Sequence, residues 1–347
     1  MKNRTTKHEI IIALLFISLI FSIGLFSTIG TANVNVLDTF KIITSKLPII
    51  GRRIDMSNIP DSYRAIIWNI RLPRVLLGIL VGASLSIAGA AFQGMFKNPM
   101  ADPYVIGISS GAALGAAIAI ILKINIDFLN ISAISIFSFL GALSSVIVVY
   151  NMAKIKNKVS VTTLLLAGVA VGQFLTAVMS FLMVIYDKDM TKIIYWTMGS
   201  LAGKGWEPII KISLPLIIAI TVINFFARDL NILLMGEESA QSLGVDVDKT
   251  KIYILVLCTF ITSIVVSVSG IIGFVGLIIP HIIRLLLGPD HRILLPASAL
   301  LGGIFMIFAD TIARTLISPV EIPVGIITAL FGGPFFIYLL KSKKKNI

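Results

Sequence analysis

The side chains able to do chemistry are few and far apart. Arg71 and Arg74 are three apart on a run that reads as a helix, so they share one face. Pro73 between them fits a first helical turn, where its missing N–H costs nothing. Guanidinium groups grip carboxylates through two parallel hydrogen bonds, which makes this pair a cationic socket for an acidic partner. The plain alternative is snorkelling to lipid headgroups. Arg314 joins the same surface in this reading, and Asp310 and Glu321 read as structural partners for nearby arginines rather than as a substrate site. A second candidate is Leu230–Asp248, LNILLMGEESAQSLGVDVD. Ala240, Leu243 and Val247 recur there at helical spacing along one side. Gly236 opens a short helix, with Glu237 and Glu238 in the first turn, where the helix dipole favours acids. Ser239, Ala240, Gln241 and Leu243 continue the segment and Gly244 ends it. A short ordered helix in a loop is expected to be a docking knob; an amphipathic linker lying on the membrane is the alternative. A third candidate is the turn Asn98-Pro99-Met100, paired with Pro280-His281. It reads either as a gate narrowing a pathway or as a plain helix stop.

Other chemistry is missing. There is no G-x-x-x-x-G-K-[ST] loop for phosphates and no H-E-x-x-H pair. His8, His281 and His291 are too scattered to suggest a metal site, and no residue is assigned a catalytic role. Cys258, the single cysteine, lies in an apolar run and reads as a small buried hydrophobe without a disulfide. No charge falls in the middle of an apolar run, whereas ion-coupled carriers keep ionisable groups inside the bundle. The chain therefore reads as lacking an energy source of its own.

These residues hang on long apolar runs. Of the 347 residues 57% are hydrophobic and 13% charged, against about 25% charged in soluble domains. The mean hydropathy is +0.99. The chain is expected to be an all-α polytopic membrane protein, a single transmembrane domain over 1–347. The net charge of +12 lies in separate short loops, which argues for anionic lipid and against nucleic acid. Ten spans are expected, at about 10–30, 75–96, 104–122, 131–152, 162–185, 208–227, 252–269, 270–287, 294–309 and 324–340. Residues 31–70 read as a long polar loop, 186–207 as a polar interface segment with Trp196 and Trp206, and 310–323 as a turn. Gly78 and Gly82, and Gly107, Gly111 and Gly115, are spaced four apart, a pattern that lets helices approach closely.

Lys154, Lys156 and Lys158 after the fourth run, and Lys341 to Lys345 at the end, favour both termini inside. Gly89 and Pro99, and Gly270 and Pro280, are each ten apart. This is compatible with an inverted duplication of spans two to five and seven to ten, although the two segments are otherwise only loosely alike.

Several motifs together resemble the FecCD-type iron-chelate and cobalamin permeases, the transmembrane subunits of type II ABC importers. They are RLPR, GASLSIAGAAFQGMFKNPMADPYVIGISSGAALG, WTMGSL, GEESAQSLGV, GIIGFVGLIIPHIIR, GPDHR and EIPVGIITALFGGPFF, in the right order from Arg71 to the C-terminus. The resemblance implies a non-enzymatic ten-helix subunit working as a homodimer or with a related permease. It also implies two cytosolic ATPase subunits, which bind ATP and magnesium, and an extracytoplasmic binding protein. This chain itself would carry no cofactor. Arg71, Arg74 and Arg314 match the arginines that dock the binding protein, Glu237–Gly244 the segment that couples to the ATPase, and Asn98, Pro99 and Met100 the inner gate, with Met100 in place of a common leucine. Importers of iron–siderophores, haem, cobalamin and oxyanions share this scaffold, and an iron–siderophore is the expected cargo. The location implied is a bacterial or archaeal cytoplasmic membrane. A stand-alone secondary transporter or channel is the rival reading.

Overall fold

The structure is a computed structural model, and it describes residues 2–32, 34–46, 48, 51–124, 127–128, 131–155 and 158–344. Lys156 and Lys345 of the expected inner clusters lie outside these residues. In chain order the helices are α1 (Lys2–Thr28), α2 (Val36–Ser45), α3 (Asp61–Ala65), α4 (Leu72–Met95), α5 (Ile108–Ile121), α6 (Ala133–Ala153), α7 (Val161–Ile185) and α8 (Asp187–Thr197). They continue with α9 (Trp206–Phe225), α10 (Ala227–Leu234), α11 (Glu237–Ser242), α12 (Val247–Ser269), α13 (Val275–Leu287), α14 (His291–Thr315) and α15 (Val324–Lys344). Two small antiparallel pairs bracket α6. In the first, β1 (Asp127–Phe128) and β2 (Ile131–Ser132), Asp127 faces Ser132; in the second, β3 (Lys154–Ile155) and β4 (Lys158–Val159), Lys154 faces Val159.

In hydrocarbon every backbone group must find an internal partner, so long apolar runs become helices. Among the described residues seven helices are long and apolar enough to cross a membrane: His8–Thr28, Asp61–Met95, Ala133–Ala153, Val161–Ile185, Trp206–Phe225, Val247–Ser269 and His291–Thr315. The other expected runs coincide with three shorter apolar helices, Ile108–Ile121, Val275–Leu287 and Val324–Leu339.

Four segments differ from expectation. The polar stretch 31–70 is not a plain loop: Asn35 caps α2 through its side chain, and α3 leads without a break into α4. The interface segment 186–207 holds α8, with Asp187 and Asp189 in its first turn. The run 104–122 starts with a 3-10 turn, Pro103–Ile106, capped by the Asp102 side chain, and becomes α-helical only at Ile108. Finally, α14 runs on to Thr315, so Asp310 and Arg314 belong to its last turns and not to a following turn.

The centre of the bundle is α4, whose apolar window is 78% buried, against 11% for α7. Small residues make this possible. A Cβ on Gly82 would collide with the Gly302 carbonyl of α14, and one on Gly89 with the Gly276 carbonyl of α13. Gly111 and Gly115 of α5 meet the Gly141 and Phe137 carbonyls of α6 in the same way. Backbone-to-backbone contact of this kind is how helices gain packing where lipid supplies no hydrophobic drive.

Candidate functional site

The candidate docking and gate residues lie at the two ends of α4. Pro73 shapes the first end. It has no N–H, and just before it Leu72 N–H bonds Ile67 instead of Trp68, so Ile66–Arg71 winds as a π-helical turn. The Trp68 carbonyl left over accepts the indole N–H of Trp206 at 2.9 Å. Arg71 then points at the end of α1, where it donates to the carbonyls of Thr28 at 2.5 Å and Ala32 at 2.6 Å. Arg74 instead turns to α14. Its Nε and Nη2 donate to Asp310 at 2.9 and 3.0 Å, and its Nη1 to Glu321 at 2.9 Å. Arg314 donates to the Phe26 carbonyl of α1 and, at 3.1 Å, to Thr311.

The three arginines are only 4%, 6% and 5% exposed, respectively. Within this chain they tie α1, α4, α14 and the Glu321 segment before α15 together. The structural pairing expected for Asp310 and Glu321 is present, with both on Arg74.

At the other end α4 stops at Lys97, which takes a left-handed φ of 51°. Asn98 N–H bonds Gln93 O and Lys97 N–H bonds Gly94 O, the two bonds of a Schellman cap. Asn98 then closes its own turn by accepting Met100 N–H at 2.9 Å. Asn98 and Met100 are exposed, and Pro99 is half-buried. The turn rests on residues that sequence reasoning passed over. Asp102 is buried and accepts Tyr104 N–H at 2.7 Å. Burial pushes its carboxyl up to about 6 against the opposing effect of that hydrogen bond. The Tyr104 hydroxyl donates to Ile272 O at 3.1 Å, in the non-helical break between α12 and α13. Pro280 lacks the N–H that would bond Gly276 O, and the Gln93 amide donates to that carbonyl at 3.2 Å. Gln93 in turn accepts from Arg284 at 2.8 Å. His281 lies on α13 with its ring edge-on to Phe335.

Beyond this end stands α11. Gly236 precedes it at φ 120°, and Gly244 follows it at φ 83°. Gly244 N–H bonds Gln241 O and Val245 N–H bonds Ala240 O, another Schellman cap. Ala240 is buried with Leu233 and Val247, whereas Leu243 is 57% exposed. The expected apolar side of Ala240, Leu243 and Val247 is therefore corrected: the chain reverses at Gly244, so Leu243 faces outward. Glu237 pairs with Lys251 at 2.7 Å, and Glu238, Ser239, Gln241 and Ser242 are exposed. One buried side chain anchors a capped helix that is otherwise open to a partner.

The same end of α4 also holds a polar junction. Asn231 of α10 donates to Asp290 at 2.6 Å, and its Oδ1 accepts His291 N–H at 2.8 Å. Asp290 caps α14 by accepting Arg292 N–H at 3.0 Å. Burial acts to raise Asp290, but the bonds from Arg292 N–H and Asn231 outweigh it and leave it below the usual carboxylate range.

Comparison with known proteins assigns the family. The profile of the FecCD transport family matches residues 11–342. The chain belongs to this family. Among relatives, the cobalamin import system permease of Halobacterium salinarum is 48% identical over 287 residues, covering 82% of this chain and 76% of that one. The Fe(3+)-citrate import system permease YfmD of Bacillus subtilis is 33% identical, covering 100% and 98%. A solved structure of a metal-chelate type ABC transporter in an inward-facing conformation superposes with a TM-score of 0.82 at 30% identity, covering 96% and 99%. This FecCD protein is thus a multi-pass permease of an ABC transporter and not an enzyme; ATP is hydrolysed by separate subunits.

Proposed function

We propose that this FecCD permease forms the pathway of an importer that moves a metal chelate into the cytoplasm, powered by two ATPases docked on α11. The observation that carries the reading is α11 itself. It is capped at both ends by glycines with positive φ, anchored by buried Ala240 and exposed elsewhere. A rigid protruding helix suits a partner that must push on the bundle. The end bearing α11 then faces the cytosol and the arginine end faces outward. Both chain termini lie inside, since α1 ends and α15 begins beside the arginines.

The remaining parts follow. Long α4 and α12, with 24 and 23 residues, are each followed by a break and a short apolar helix, α5 and α13, with 14 and 13. Interrupted helices at matching positions support ten spans built as an inverted repeat, with the cargo path near the breaks. A second permease, identical or related, completes the pathway. A binding protein delivers cargo at the outer end. Its carboxylates reach Arg71, Arg74 and Arg314 only by competing with Asp310, Glu321 and the α1 carbonyls. Cobalamin leads the candidate cargoes because its permease shares the higher identity of the two named relatives. Ferric chelates, siderophores among them, and haem come next.

The test is uptake by the permease, its neighbouring ATPase and the binding protein, reconstituted together in vesicles. Cobalamin, haem and a ferric siderophore are offered in turn. Uptake should need ATP and stop with vanadate. Uptake that persists without the ATPase would establish the secondary-carrier reading instead.

A further inference from the structure

Two directional contacts leave the α10–α11 pair: the Glu237–Lys251 ion pair holds α11 to α12, and Asn231 holds α10 to α14. Other contacts are apolar: Leu233 packs on Ala240 and Val247, and Leu230 lies against Gly94. Apolar contacts hold helices together but allow them to slide. Asn231 makes directional bonds instead. Its Nδ2 donates to Asp290 at 2.6 Å, its Oδ1 accepts His291 N–H at 2.8 Å, and the same oxygen lies 2.9 Å from His291 Nδ1. All three reach the first turn of α14.

What α14 touches extends this contact to both ends of the bundle. The buried His291 ring fills the space where Gly94 of α4 lacks a Cβ. The neighbouring Gln93 holds Asn98 N–H on its carbonyl, and its side chain ties α13 through Gly276 O and Arg284. Further along, Gly302 of α14 meets Gly82 of α4 backbone to backbone, and the last turns of α14 carry Asp310 to Arg74. A shift of α10 that moves Asp290 and His291 therefore moves α14 against α4 and reaches the Asn98 turn.

From this placement we infer that Asn231 is the positioning residue that transmits motion of the α10–α11 pair to α14 and the inner end of α4. The inference rests on the reading that α11 docks an ATPase. Asn231 touches neither cargo nor nucleotide. It sets how much of each ATP cycle becomes movement of the bundle.

The test uses charge exchange across the Asn231–Asp290 bond, in the full complex with ATPases and binding protein. Asn231→Asp alone puts two carboxylates in contact and breaks the bond. Asn231→Asp with Asp290→Asn restores it with donor and acceptor reversed; since one oxygen of Asp290 accepts from both Asn231 and Arg292 N–H, the reversed bond gives up that cap, and Asp290→Asn alone is the control for its loss. Three quantities are read: ATPase co-purification, ATP hydrolysis and cargo taken up per ATP. The single variant should keep its ATPase and hydrolyse at a rate within about twofold, while uptake per ATP falls about tenfold, the usual scale for a broken interacting pair. The exchange variant should recover most of that loss. Unchanged uptake per ATP in the single variant, or an exchange variant no better than the single one, overturns the proposal. So does parallel loss of hydrolysis and uptake, which marks a merely structural residue. Failure of the underlying reading shows separately, as ATPase co-purification that survives Leu243→Asp on α11.

Discussion

At the residue scale the arginine end buries three guanidiniums and pairs one of them, Arg74, with carboxylates. Arg74 is buried with two carboxylates, and Asp310 has 3% side-chain exposure. Removing one member of such a pair strands the other. Arg74→Ala should therefore cost about 3–5 kcal/mol, read as a large drop in detergent melting temperature. Glu321→Gln should cost less than about 1 kcal/mol, because that side chain is 43% exposed. A charge reversal at Arg74 is thus a test of the fold before it is a test of docking, since the new carboxylate would face Asp310 and Glu321. Asp102 gives a pH prediction with the opposite sign from the usual acid. Its folded carboxyl sits at about 6 against 3.8 when free. The unfolded chain releases this proton first, so the Asp102 contribution is full below about pH 4 and is lost as pH rises through 6. Asp102→Asn keeps an oxygen for Tyr104 N–H and never ionises. It should gain up to about 3 kcal/mol over the parent at neutral pH, and the gap should close on acidification. Melting curves of both proteins at several pH values between 4 and 7 would show this.

At the scale of elements the long apolar runs were legible, because hydrocarbon leaves a long run no choice but helix. The short amphipathic elements were not. Residues 36–45 and 187–197 look like polar loop by hydropathy, and form α2 and α8 because they rest on the bundle. Gly236 and Gly244 were legible as helix ends, since each sits at positive φ. The facing of Leu243 was not, because helical spacing cannot anticipate that the chain reverses one residue later. The pairing of Arg74 with Asp310 was readable only as a bias, since 236 residues separate them. The small-residue spacing was legible as close packing, but not its partners. That packing can be tested at Gly89, where a Cβ would enter the Gly276 carbonyl and nothing flexible can give way. Gly89→Ala should destabilise by about 1–3 kcal/mol through overpacking. Gly273→Ala has nothing within 4 Å and should stay within about 0.5 kcal/mol. Melting temperatures of the two variants in one detergent compare them directly.

At the scale of the whole molecule the two ends are built on opposite principles. The arginine end is closed: its buried guanidiniums bond α1, Asp310 and Glu321, so it holds helix ends in register. The α11 end is open, with a capped helix that owes the bundle one buried side chain, Ala240, and one ion pair, Glu237 to Lys251. A subunit without a nucleotide site must receive work through such an end. Leu243 is where this asymmetry can be measured. It is a large apolar side chain 57% exposed beside a glycine turn, and removing it takes nothing from the core. Leu243→Asp should leave the melting temperature of the isolated permease within the range expected of a surface change, about 0.5 kcal/mol. If Leu243 is a central contact of the ATPase interface, the same substitution should cost about 2 kcal/mol or more of binding. In a pull-down titration this appears as at least about a thirtyfold weaker association. Weaker association with an unchanged melting temperature would separate docking from folding, which no substitution at the buried arginines can do. An unchanged association would remove α11 from the interface and with it the route by which ATP reaches the bundle.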